Sequence, residues 1–91
     1  MSMKQAHVFI SGTVQGVGFR QYTRSKARKL GLLGWVRNTE DGGVEVVLQG
    51  EEQVIQQMMG ICRRGPYLAE VKQIGFDWEE VDKQFSEFII I

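Results

Sequence analysis

The sequence is short of the residues that most often announce a cofactor or a crosslink. Its single cysteine, Cys62, excludes an internal disulfide. Its one histidine, His7, and the lack of any CxxC pair leave no zinc-binding spacing. No apolar run approaches the length of a bilayer crossing, and Met1-Ser2-Met3-Lys4-Gln5 contains no apolar h-region. Acidic residues are absent as far as Thr39, so residues 1–39 carry +7 and residues 40–91 carry −7, although the whole chain sums to zero. No repeat, linker or low-complexity tract is visible. With 91 residues, 43% of them hydrophobic, the chain is expected to form one small domain over residues 1–91 with a single core. A soluble, monomeric, cytoplasmic protein is the expectation, with no membrane partner.

The positive half contains Gly12-Thr13-Val14-Gln15-Gly16-Val17-Gly18-Phe19-Arg20, where a hydrophobic strand runs into a glycine-rich turn and then a helix. Gly16 and Gly18 can adopt backbone angles closed to residues with a Cβ, so N–H groups from Gln15 to Arg20 can converge on one anion. The helix start adds unpaired N–H groups and the positive end of its dipole. Arg20 brings a planar guanidinium that holds two phosphoryl oxygens and stays charged at physiological pH. The candidate phosphate loop is therefore Gln15, Gly16, Val17, Gly18, Phe19 and Arg20. The loop has no Gly-Lys-Ser/Thr and no third glycine, which argues against nucleoside triphosphate or dinucleotide binding.

Alternating apolar residues predict a strand over Lys4 to Val14, and helical spacing follows from Phe19 to Leu30, with Phe19, Tyr22, Ala27 and Leu30 on one side. Arg24 and Arg28, flanked by Lys26 and Lys29, read as a solvated basic stripe. Gly34–Asn38 and Val44–Gln49 read as a hairpin turning over Thr39 to Gly43. Glu51 to Arg63 reads as a second helix stopped by Gly65-Pro66, with strands near Ala69–Glu79 and Phe85–Ile91. This β-α-β-β-α-β order plus a last strand predicts an α+β fold: a ferredoxin-like split βαβ sandwich, its antiparallel sheet covered on one face by both helices.

Two of these stretches resemble the signatures of the acylphosphatase family. The first is Gly12 to Arg20; the second is Gly34-Trp35-Val36-Arg37-Asn38-Thr39-Glu40-Asp41-Gly42-Gly43-Val44, followed by Gly50. The resemblance covers essentially the whole chain. It implies a hydrolase that splits the mixed anhydride of a carboxylic acid and phosphate without metal or cofactor, with inorganic phosphate as product or inhibitor. It also implies that Arg20 binds the phosphate, that Asn38 positions the attacking water and that residues 15–19 cradle the phosphate. Thr39 is a possible support for Asn38, although a plain turn role serves it equally well. Tyr67 stands where a second proline is expected, and the all-apolar end Phe88-Ile89-Ile90-Ile91 supplies no basic residue.

The implied chemistry suits what the sequence lacks. The departing carboxylate has a conjugate acid of pKa about 4, so it needs no general acid. His7 is accompanied by no serine or cysteine nucleophile motif, and a structural place is expected for it. Cys62, Met58 and Met59 read as core. Two other functions fit the fold: a non-catalytic anion-binding module, and an RNA-binding module, which would need stacking aromatics on the central strands. The third strand has none, and no nucleic-acid partner is expected.

Overall fold

The computed structural model describes residues 2–91, which form β1 (Lys4–Thr13), α1 (Phe19–Lys29), β2 (Leu33–Asn38), β3 (Val44–Gly50), α2 (Glu52–Arg64), β4 (Glu70–Glu79) and β5 (Phe88–Ile90). The sheet order is β4-β1-β3-β2-β5, with β1 and β3 central. Alternation sorts the faces. In the β1/β3 register Ala6, Val8 and Ile10 lie opposite Leu48, Val46 and Val44, and all six point into the core. Phe19 and Ala27 from α1 and Ile55, Met58 and Cys62 from α2 cover them. Burying a large apolar side chain stabilises by about 1.5–3 kcal/mol, so this two-layer core is the main driving force for the fold.

The expected antiparallel sheet is corrected in one respect: it is mixed. Four strands are antiparallel, but β5 runs parallel to β2, pairing Gly34 with Phe88, Trp35 with Ile89 and Val36 with Ile90. The reason is the crossing between the last two strands. After β4, at one edge, the chain passes under the central strands and enters the far edge beside β2. Gln49 holds that crossing. It is fully buried, and its amide donates to Lys83 O (2.6 Å) and Gln5 Oε1 (2.7 Å) while its Oε1 accepts from Phe85 N–H (2.9 Å). Phe85 N–H is thereby spent outside the ladder, and the strand expected from Phe85 is shortened to Phe88–Ile90.

Two side chains of α1 also depart from the periodic pattern. Thr23 is fully buried on the apolar face because its hydroxyl donates to Phe19 O (2.8 Å) one turn back. Arg28 belongs to the basic stripe by spacing, yet its Nε donates to Phe88 O (3.0 Å) and its guanidinium lies 3.6 Å from Glu87. It fixes β5 against the sheet. Cys62 is fully buried in α2, and burial pushes its thiol up to about 12.

Candidate active site

The loop after β1 meets the C-terminal end of β2 because β1 and β2 flank β3 and run in the same direction. Gly16 and Gly18 have φ of 75° and 78°, a region where a Cβ crowds the backbone, and this lets the chain turn directly from β1 into α1. Helix α1 begins with Gly18 as its N-cap, with no side-chain cap and no acidic residue in its first turn. Among the described residues, no backbone N–H from Gly16 to Gln21 donates to a protein acceptor; the first to do so is Tyr22, to Gly18 O (3.0 Å). A helix start left open in this way is a ready anion site.

Gly16, Gly18, Arg20 and Asn38 line one small cavity of about 180 Å³. Its remaining walls are Val14, Phe19, Ile90 and Gln21, and among the described residues no carboxylate lines it. Arg20 is exposed and forms no ion pair among the described residues. Asn38 presents a buried Oδ1 that has no hydrogen-bond partner among them. An acceptor left unmet in this way costs roughly 1–3 kcal/mol.

A larger hollow of about 300 Å³ lies behind the 39–43 turn, where Phe9, Ser11, Asp41 and Gln73 are among its walls. It is the poorer anion site. No cation lines it, and Asp41 does; hydrogen bonds from the Thr39 hydroxyl and the Gly43 N–H hold that carboxyl below its ordinary 3.8, so it stays ionised.

The predicted residues divide into those that line the cavity and those that build it. Gln15 and Val17 belong to the loop but turn elsewhere. Val17 packs on the core, and the Gln15 amide donates to Thr39 O and Gly43 O, both at 2.8 Å, tying the loop to the turn beside Asn38. Thr39 does not support Asn38. Its hydroxyl bonds the Asp41 carboxylate and accepts from Gly43 N–H (3.0 Å), so it shapes the turn. Gln21 and Ile90 were not legible as site residues. The strand-to-helix turn points to its glycines and to Arg20, whereas Ile90 arrives from the opposite end of the sequence through the parallel β2/β5 pairing.

His7 lies on the sheet face away from the helices. Its Nδ1 is 3.0 Å from Glu79 and its Nε2 contacts Glu45, which also accepts from Arg37 Nε (2.6 Å). Its ring stacks on Phe9, with centroids 4.5 Å apart. Partial burial disfavours the charged ring, but bonds to both carboxylates outweigh it and raise the pKa above 6.5.

The comparisons with known proteins show the family and the fold. Residues 6–90 match the sequence model of the acylphosphatase family. An acylphosphatase of Roseiflexus sp. (strain RS-1) is 48% identical over 91 residues, all of this chain and 98% of that one. The crystal structure of acylphosphatase from Bacillus subtilis superposes with a TM-score of 0.94 at 32% identity, covering 97% of this chain and 98% of that one. Full-length HypF, solved in a phosphate- and nucleotide-bound form, matches at TM-score 0.88 and 28% identity over 99% of this chain but only 12% of its own. With a ferredoxin-like fold, the family's match over nearly every residue and relatives of its own length, this chain belongs to the acylphosphatase family and hydrolyses acyl phosphates.

Proposed function

We propose that Arg20 and the open N–H groups of residues 16–20 hold the phosphoryl group while Asn38 holds the water that attacks it. The water oxygen forms a bond to phosphorus as the bond from phosphorus to the acyl oxygen breaks, and the carboxylate leaves with the bonding pair. The water's proton passes to a phosphoryl oxygen, giving inorganic phosphate. Charge spread over the phosphoryl oxygens is met by the guanidinium and by fixed N–H donors, so catalysis is mainly positioning and electrostatic stabilisation. A neutral amide suits the water because its oxygen accepts a proton bond without repelling the incoming anion. No metal or cofactor takes part in this scheme, since a carboxylate leaves without assistance.

One observation carries the proposal: Asn38, whose buried Oδ1 has no hydrogen-bond partner among the described residues, lines the same cavity as Arg20 and the two loop glycines. A monomer is inferred as well, because every group named comes from one chain. A cytoplasmic location fits the lone, buried Cys62. No nucleic-acid partner is inferred, since Val44–Gly50 presents no aromatic ring for stacking.

The test is hydrolysis of benzoyl phosphate followed by loss of ultraviolet absorbance in excess EDTA. Turnover by the wild type and its loss in both Arg20→Ala and Asn38→Ala support the assignment. Undiminished turnover in folded Asn38→Ala refutes the role of the amide, and dependence on added metal refutes the metal-free scheme.

A further inference from the structure

The cavity that receives the phosphate has two unlike walls. Gly16, Gly18, Arg20, Gln21 and Asn38 offer hydrogen bonds and charge, whereas the side chains of Val14, Phe19 and Ile90 offer only carbon. We propose that Ile90 is a specificity-determining residue which, with the edges of Val14 and Phe19, receives the acyl group, so that this enzyme selects acyl phosphates with an apolar or aromatic acyl group over those bearing a second anion. The inference rests on the phosphate placement proposed above.

Ile90 is well placed for the role. It pairs with Val36, two residues before Asn38, and shares the helix-side face of the sheet with both. The next residue, Ile91, donates its N–H to Val36 O (3.0 Å). At the other end of β5, Gly34 N–H donates to Glu87 O (3.1 Å) and Arg28 to Phe88 O (3.0 Å). The wall is therefore bound at both ends, and Ile90 packs partly on the core while it lines the cavity.

Charge completes the selection. Among the described residues Arg20 is the only cation lining the cavity, and the phosphoryl group takes it. A second anion on the acyl side would lose water against Ile90 and meet no second cation, Gln21 being neutral, whereas a ring or alkyl chain would gain apolar contact. Arg24, one turn along α1, does not line the cavity and offers no second cationic site there.

The experiment compares kcat/KM of the full chain for acetyl phosphate, benzoyl phosphate and 4-carboxybenzoyl phosphate, the last being the same ring with a second charge. The wild type should prefer benzoyl over 4-carboxybenzoyl phosphate by about tenfold or more. Ile90→Ala should lower the benzoyl-to-acetyl ratio by roughly three- to tenfold, and Ile90→Lys should shift the ratio toward 4-carboxybenzoyl phosphate by about tenfold. Circular dichroism checks folding, and the inhibition constant of inorganic phosphate checks the polar wall separately. Ratios unchanged within about twofold in both folded variants overturn the role of Ile90 while leaving the phosphate site standing. No turnover of any of the three acyl phosphates by folded wild type overturns both.

Discussion

Two polar clusters, one on the open face of the sheet and one where the β1–α1 loop meets the end of β2, are built on opposite terms. On the open face, Glu45 is only 7% exposed, yet it is met by Arg37 and His7, and Glu79 is met by His7 and by Gln5 (2.8 Å). At the end of β2, Arg20 has no ion-pair partner among the described residues, a run of N–H groups is open, and Asn38 Oδ1 is buried without an acceptor's due. A cluster whose demands are met stabilises the fold; one whose demands are unmet is preorganised for a ligand, and it detracts from stability. The ionisable residues are denser in the first cluster, but the chemistry is proposed for the second.

Substitutions should therefore separate activity from stability. Arg20→Ala removes the one charge in the cavity and should lower kcat/KM for benzoyl phosphate by about 10³-fold, with phosphate inhibition weakened in parallel. Arg20→Lys should recover little of this, because an ammonium lacks the bidentate fork. The melting temperature should barely move. Asn38→Ala comes next: a loss of about 10²-fold in kcat with inhibition by phosphate largely kept, and a gain in stability of up to about 1 kcal/mol because the unmet acceptor is gone. A destabilised Asn38→Ala protein would break the contrast, since it would make Asn38 structural.

Glu45→Ala is the mirror experiment. It strands Arg37 and His7 and should cost roughly 2 kcal/mol in urea unfolding, while kcat/KM per folded molecule stays within about twofold of wild type. Gln15→Ala sharpens the boundary between the clusters, because Gln15 touches no substrate in the proposed scheme and acts as a positioning residue. Loss of its two bonds to the 39–43 turn should cost about 1 kcal/mol of stability and about tenfold in kcat/KM as the loop drifts from Asn38. Gln15→Glu cannot donate both bonds and should not restore the rate, whereas a rate restored by Glu would make the contact incidental.

The same division explains what could be read from the sequence. That the loop, the helix start, Arg20 and Asn38 come together around one cavity was legible because each depends on neighbours a few residues away: glycines that permit a turn, a helix that follows, a hairpin that turns over Gly42-Gly43. The parallel entry of β5 was not, because it depends on Gln49 gripping residues 83–85 across the sheet, a contact without local periodicity. Arg28 read as solvated because its spacing matches the basic stripe, and only the arrival of β5 beside α1 gives it Phe88 O to bond. Thr39 shows a further limit. Adjacency to Asn38 suggested support, but a hydroxyl at the start of a tight turn reaches forward to Asp41 and Gly43 more readily than sideways along the strand.

The smallest expected effect belongs to the satisfied cluster. With a carboxylate at each ring nitrogen, His7 is charged in the folded protein at a pH where the unfolded chain has begun to lose the proton. A raised folded pKa contributes stability that is complete below the unfolded value of 6.5 and declines as pH rises through the higher folded value. Arg37 opposes the charged ring across Glu45, and Asp77 faces it as its register partner on β4, so the groups around it are of both signs. Urea unfolding measured across this interval should show a decline in wild type that is missing in His7→Gln, while the rate of Arg20- and Asn38-dependent hydrolysis shows no titration that follows His7. If the pH dependence of kcat changed with His7→Gln, the two clusters would be coupled, and the division between a stabilising face and a reactive end would fall.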